Sequence, residues 1–278
     1  MISSDVEKLS AKKIFDTFFH RVNKKFGQNF LFDEKINRKI VSTAGNLAGK
    51  TVAEVGPGPG GLTLEILKHD IKKIYVIEID KHWSSVWKNL RPLFNGKLEV
   101  IEKNALEFDF PSIAPDAIIS NLPYNISTQL LFRWLKEFNL YECLVLMFQK
   151  EVADRLYAIP STKQYGKLSV LTQWKSRPAK IFDVEPGSFL PAPKIKSTVV
   201  KFTPYKKKCT SNDFLLFSNL LTNVFMHRRK IIIKTLAKFV PHPEQLLLSL
   251  GYDKNTRAEE ITVDDYVKIY FRIRSGGL

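Results

Sequence analysis

EVGPGPGG, residues 54–61, closes one run of apolar residues and opens another with a different period. Upstream, TVAEVG (51–56) reads as a buried strand that ends in glycine. Downstream, GLTLEILKH (61–69) carries Leu62, Ile66 and Leu67 at helical spacing. Further strands are predicted at KIYVIEID (73–80), LEVIEKNA (98–105), DAIISNLP (116–123) and ECLVLMFQ (142–149), with helical stretches between them such as STQLLFRWLKEF (127–138). Strand–helix alternation of this kind builds βαβ units, hence an α/β fold with a parallel sheet covered by helices on both faces. SFLPAPKIKSTVVKFTPY (188–205) is punctuated by proline and then alternates, as an edge hairpin does. YKKKCTSND (205–213) reads as a linker, and only helical patterns follow it. The expected organisation is an α/β domain over 1–205 and a small all-helical domain over 206–278.

Gly56, Gly58 and Gly60 form G-x-G-x-G at a strand-to-helix turn, where the missing Cβ atoms allow a tight turn and a close ligand. No Lys-Ser/Thr pair follows, so the loop is not a Walker-type phosphate cradle. Glu54 precedes the loop and Glu78 stands near the end of the next strand, where a carboxylate accepts from both hydroxyls of a ribose. NAD shares that feature. Pro57 and Pro59, however, fit poorly with amides wrapped around a pyrophosphate. A cofactor with a ribose and no phosphate fits better, and S-adenosylmethionine is such a cofactor.

NLPY (121–124) follows the fourth strand, at the end where open α/β sheets bind ligands. An exocyclic adenine amine is a poor nucleophile because its lone pair is delocalised into the ring. The Asn121 side chain and a backbone carbonyl, of Leu122 or Pro123, can each accept one N–H and turn the lone pair outward. Pro123 fixes the backbone, and Tyr124 offers a ring on which a base can stack. Positioning and electrostatics suffice for such a transfer, with no protein nucleophile and no metal.

The chain of 278 residues carries 43 Lys+Arg against 28 Asp+Glu, a formal charge of +15. That excess draws polyanions, nucleic acid first among them. Residues 206–278 alone hold +6. Within them His227, Arg228, Arg229 and Lys230 read as a helix that meets phosphates. Cys143 and Cys209 form no CxxC, and His20, His69, His82 and His242 have no partners by spacing, so no metal site is expected. The longest apolar runs fall far short of a membrane span, and the N-terminus, with Asp5 and Glu7, resembles neither a signal nor a transit peptide. The expected setting is the cytoplasm.

In order along the chain, KKFGQNFL (24–31), EVGPGPGGLT (54–63), VIEID (76–80), NLPYNIST (121–128), FQKEVADRL (148–156), YGKLSV (165–170), SFLPAPKIKSTVV (188–200), FMHRRK (225–230) and RAEEIT (257–262) resemble the KsgA-type ribosomal RNA small-subunit adenine dimethyltransferases. The resemblance runs along nearly the whole chain. It implies a Rossmann-like class I methyltransferase that uses S-adenosylmethionine. Its substrate would be N6 of two adjacent adenosines in a hairpin near the 3′ end of 16S rRNA in the small subunit, with the enzyme acting as a monomer. Asn29 and Leu31 match positions that close over the cofactor, Gly56 and Gly58 belong to the loop against it, Glu78 matches the ribose acid, and Asn121 touches cofactor and target amine. Phe189 resembles a residue that stacks on the target base opposite Tyr124; the alternative for it is a core position. Asn104 departs from the family, which usually has Asp facing the adenine N6 of the cofactor. An amide oxygen still accepts that hydrogen bond, without the charge.

The nearest rival is an Erm-type methyltransferase acting on large-subunit rRNA, whose tetrapeptide usually has Ile where this chain has Leu122. An RNA-binding assembly factor with secondary catalysis is the alternative of another class, and a NAD dehydrogenase is the remote one.

Overall fold

The computed structural model describes residues 9–19, 28–205 and 210–276. His20, Cys209, residues 24–27 of KKFGQNFL and residues 206–209 of the linker stretch lie outside the described residues. The chain divides into two compact units, Met1–Ala153 with Ala179–Pro204, and Asp154–Pro178 with Tyr205–Leu278.

Helix α1 (Ala11–Phe18) is capped by Ser10, whose hydroxyl accepts from Lys13 N–H. Strand β1 (Phe30–Leu31) precedes α2 (Glu34–Thr43), capped by Asp33. Then β2 (Thr51–Val55), α3 (Gly61–Leu67), β3 (Lys73–Glu78), α4 (Lys81–Leu90), β4 (Leu98–Glu102), β5 (Ala117–Asn121), α5 (Ser127–Lys136) and β6 (Cys143–Gln149) follow in the expected alternation. Helices α6 (Lys150–Leu156) and α7 (Lys167–Lys175) lead to β7 (Ser176–Val184), β8 (Phe189–Leu190) and β9 (Ser197–Pro204).

The main sheet has seven strands in the order β4-β3-β2-β5-β6-β9-β7. Strands β2 to β6 pair in parallel, with Val55 opposite Ile77 and Asn121 opposite Met147. From β2 the chain builds outward through β3 and β4, then returns to the other side of β2 with β5 and β6. The crevice at that reversal is where such sheets bind ligands, and it receives both the glycine loop after β2 and NLPY after β5.

The sheet is mixed rather than wholly parallel, because β9 runs antiparallel to β6 with Met147 opposite Val199. The expected edge hairpin is also revised. Strand β9 lies inside the sheet, between β6 and β7, which is why Ser197–Val200 and Phe202 are buried and show no simple alternation. The edge belongs to β7, which carries Pro178 where a missing N–H costs no ladder bond. Phe189–Leu190 leaves this sheet and pairs antiparallel with Phe30–Leu31.

In the second unit, α8 (Ser211–Phe225) opens on a reciprocal cap between Thr210 and Asp213, followed by α9 (Ile233–Leu236), α10 (Pro243–Ser249) and α11 (Val263–Arg274). Trp174 stands edge-on to Phe217 with ring centres 4.7 Å apart and lies stacked against Phe214 at 6.2 Å, and Tyr270 closes the cluster. This aromatic core explains why residues 154–178, which precede the expected boundary at 206, associate with the C-terminal helices. Asp213 accepts from Tyr270 Oη at 2.9 Å and pairs with Arg274.

Candidate active site

A cavity of about 270 Å³ opens at the carboxyl ends of β2, β3, β4 and β5. Its walls are Glu54–Pro59, Ile77–Ile79, Lys103–Leu106 and Asn121–Ile126, with Gln28–Leu31 across it. Of the expected residues, Asn29, Leu31, Gly56, Gly58, Glu78, Asn104, Asn121, Leu122, Pro123 and Tyr124 all line this one space.

The glycines are required by both backbone and packing. Gly56, Gly58 and Gly60 have φ of 69°, 51° and 93°, in the left-handed region that other residues avoid. A Cβ on Gly58 would lie 2.8 Å from the Phe30 ring, and one on Gly60 would lie 2.2 Å from Trp87. Trp87 is fully buried, and its Nε1 donates to the Gly58 carbonyl at 2.7 Å.

Two carboxyls sit in the wall, Glu54 at 2% and Glu78 at 6% exposure. Burial pushes Glu54 up to about 8; Thr63, donating to it at 2.7 Å, opposes the rise and the charge of Glu78 adds to it. Burial likewise pushes Glu78 up to about 7, while the Asp80 N–H, donating at 2.8 Å, holds it lower and the Asp80 charge raises it. Ile79, between them in sequence, is 45% exposed and presents an apolar surface to the cavity.

Asn121 Nδ2 donates to the Asn29 carbonyl at 3.0 Å, which turns Oδ1 the other way as an acceptor. The Pro123 carbonyl accepts from Ile126 N–H at 3.2 Å, so of the two carbonyls considered for the target amine it already holds a donor. Tyr124 shares a hydrogen bond of 2.6 Å with Ser197, and Ser127 Oγ donates to its carbonyl at 3.0 Å. Asn104 is oriented twice, accepting from Leu106 N–H at 3.0 Å and donating to Glu107 at 2.9 Å.

Phe189 does not join these residues in the cavity wall. It is 5% exposed and packs in the hydrophobic cluster with Phe30 and Leu31, because pairing of β8 with β1 turns Phe189 inward and leaves Leu190 45% exposed. The basic cluster belongs to the second unit, and there the expected helix is a turn, since α8 ends at Phe225. Arg228 is bound within that unit. It donates to the Lys163 carbonyl at 2.6 Å and pairs with Glu259 at 3.7 Å. Arg229 and Lys230 are exposed.

Sequence reasoning missed Gln28, Thr63, Trp87 and Ser197: the last three bond Glu54, Gly58 and Tyr124 directly, and Gln28 bonds Asp80, whose N–H in turn donates to Glu78. Gln28, Thr63 and Ser197 lie within the motifs GQNFL, EVGPGPGGLT and SFLPAPKIKSTVV, which is the signal they carried; Trp87 is an ordinary helix residue until the fold brings it near. Among the described residues no group of His, Cys, Asp or Glu could hold a metal ion, and no helix is long and apolar enough to cross a membrane.

The sequence matches the model of the ribosomal RNA adenine dimethylase family over residues 19–275. It is 39% identical over 253 residues to ribosomal RNA small subunit methyltransferase A of Rhodospirillum rubrum, spanning 90% of this chain and 88% of that one. Among solved structures it resembles a dimethyladenosine transferase from Plasmodium falciparum, with a TM-score of 0.78 and 28% identity over 90% of this chain and 98% of that one. The 23S rRNA methyltransferase ErmE shares the fold, with a TM-score of 0.67 and 22% identity over 88% of this chain and 100% of the other.

Proposed function

The chain belongs to the ribosomal RNA adenine dimethylase family, and from that premise we propose that it transfers methyl groups from S-adenosylmethionine to N6 of two adjacent adenosines in 16S rRNA of the small ribosomal subunit, as a cytoplasmic monomer. The observation that carries this reading is the shared cavity, where an acid suited to a ribose and an amide suited to an adenine amine face one space.

The residues present fit the cofactor. We assign Glu78 to a ribose diol, Ile79 to an apolar base face, Asn104 to the adenine amine, and the turn at Gly56, where a Cβ would meet nothing nearer than Pro123 at 3.8 Å, to the amino-acid tail. Lys103 is the wall's one Lys or Arg among the described residues, a lining poor in cations and unsuited to a pyrophosphate. When bound, S-adenosylmethionine supplies an electrophilic methyl group. The protein's part is orientation. Asn121 Oδ1 accepts one N–H of the target amine, and the Leu122 carbonyl, rather than that of Pro123, accepts the other. Both bonds strengthen as the nitrogen leaves planarity, so they act on the transition state. Tyr124, held by Ser197, gives the base a ring to stack on. Phe189 would reach the opposite face of the base only after leaving its core position, so Tyr124 is assigned the stacking role.

Exposed Arg229 and Lys230 are assigned to phosphate contacts, and the second unit to RNA binding. An RNA-binding assembly role can accompany this chemistry but does not account for the buried acids. Calorimetric titration with S-adenosylhomocysteine and with NAD tests the cofactor: binding of the first and not the second is expected, and the reverse would contradict the reading.

A further inference from the structure

Gln28 and Asn29 are adjacent residues whose polar groups run to opposite sides of the cavity. Gln28 Nε2 donates to Asp80 Oδ2 at 2.9 Å. Asp80 in turn donates its N–H to Glu78 Oε1 at 2.8 Å, while its Oδ1 accepts from His82 N–H at 3.0 Å and caps α4. On the other side, the Asn29 carbonyl accepts from Asn121 Nδ2 at 3.0 Å. Phe30 and Leu31, next in sequence, are pinned by pairing with Leu190 and Phe189. One short segment thus ties the acid at the cofactor's ribose to the amide that faces the target amine.

We infer that Gln28–Asn29 is a bridge through which seating of the cofactor at Glu78 sets the orientation of Asn121, with Gln28 acting as a positioning residue through Asp80. The inference rests on the reading of the cavity as a site for S-adenosylmethionine and adenine. The physical basis is a short chain of stiff links. Asp80 has both carboxylate oxygens engaged, so it cannot release Gln28 without losing a bond to a charged group. The planar 28–29 peptide leaves only the φ and ψ of Asn29 between Gln28 and the Asn29 carbonyl, and pairing of Phe30 with Leu190 restrains the far side of that carbonyl. If Gln28 loosens, the Asn29 carbonyl loses one of its restraints, and Asn121 can rotate its Oδ1 away from the amine. Coupling of this kind makes each site bind more tightly when the other is filled, by the same factor in both directions.

The test uses the full-length protein, S-adenosylhomocysteine as the cofactor probe, and small subunits lacking the modification. Gln28→Leu should weaken S-adenosylhomocysteine by about tenfold, the size of one hydrogen bond to a charged group at the low end. It should also slow single-turnover transfer at saturating S-adenosylmethionine, which a simple loss of affinity would not do. Gln28→Glu sets two carboxylates against each other and should be as impaired or worse. Asp80→Asn keeps an oxygen for the α4 cap and should be impaired too. The double variant Gln28→Glu with Asp80→Asn restores a donor facing an acceptor, with the polarity reversed, and should recover most of both affinity and rate. Wild-type rate and affinity in Gln28→Leu, or a double variant no better than Gln28→Glu in a protein that unfolds at the wild-type temperature, would overturn the bridge. Failure of the unmodified protein to bind S-adenosylhomocysteine would instead remove the reading of the cavity on which the bridge stands.

Discussion

Trp87 Nε1 donates to the carbonyl of Gly58 at 2.7 Å, so the side chain of a helix residue holds the peptide at the centre of the glycine loop. The same indole lies where a Cβ on Gly60 would be. Trp87→Phe keeps most of the packing and removes the donor. It leaves a buried carbonyl without its partner, at a cost of about 1–3 kcal/mol. We expect thermal stability to fall and S-adenosylhomocysteine binding to weaken with it, because the loop that faces the cofactor is the part released. Unchanged affinity and melting temperature would show that the loop holds itself.

The two buried acids make the protein sensitive to pH in a defined direction. Their folded-state values, about 8 for Glu54 and about 7 for Glu78, stand above the ordinary 4.5. Between 4.5 and those values the unfolded chain is ionised and the folded one keeps its protons. Their contribution to stability is therefore fully present below 4.5 and is lost as pH rises through about 7 and 8. The ligand-free protein should melt at progressively lower temperature over that window. Cofactor binding has the opposite slope, since the ionised carboxylate is the form that accepts from a ribose. Affinity should be about tenfold weaker at pH 6 than at pH 8 for a group titrating near 7, with proton release on binding below pH 7. Calorimetry in buffers of different ionisation enthalpy checks both, and a flat affinity with no proton release would refute the assignment of Glu78.

Much of this was legible in the sequence, for a physical reason. Buried parallel strands read as continuous apolar runs, and here the two that carry the site stop at residues that break a strand, Gly56 after β2 and Pro123 just beyond β5. Sites at strand ends therefore announce themselves locally. The position of β9 between β6 and β7 did not, because pairing over tens of residues leaves no local mark. The basic turn reads as helix because FMHRRK lies within the longer helical pattern FLLFSNLLTNVFMHRRKIIIKTLAKF. What ends the helix is distant in sequence: Ile231 forms a β-bridge with Arg257, Ile232 donates to the Thr256 carbonyl at 3.0 Å, and Arg228 is drawn to Lys163. Phe189 went the same way, since only its pairing with Leu31 makes it a core residue.

Asn104, proposed for the cofactor's adenine amine, donates to Glu107, a pairing that suits an amide at this position. Asp at 104 would set a second carboxylate against Glu107, now 2.9 Å from the Asn104 amide nitrogen. Asn104→Asp alone should therefore not tighten S-adenosylmethionine binding. Combined with Glu107→Gln it should tighten by roughly fivefold, the difference between a neutral and a charge-assisted hydrogen bond. A gain from the single substitution would show that Glu107 has no influence on this position.

The basic turn separates into two roles. Neutralising Arg229 and Lys230 should lower rRNA affinity and flatten its salt dependence by up to about 0.7–0.9 per lost contact, with no change in cofactor affinity. Arg228→Ala should instead lower thermal stability, because its guanidinium is engaged by Lys163 and Glu259. An unaltered salt slope in the Arg229, Lys230 variant would place RNA contacts elsewhere.

Asn121 is proposed to direct an adenine amine at a methyl donor, and single-turnover transfer measures that role most directly. Labelled S-adenosylmethionine is mixed with small subunits lacking the modification, the burst rate is followed, and the labelled bases are mapped. The wild-type protein should label N6 of two adjacent adenosines near the 3′ end of 16S rRNA. Asn121→Ala should bind subunits and cofactor nearly as well and transfer on the order of 10²-fold more slowly or worse, by analogy with loss of one oriented transition-state hydrogen bond. An Asn121→Ala protein as fast as wild type, or label on any base other than those adenosines, would contradict the account.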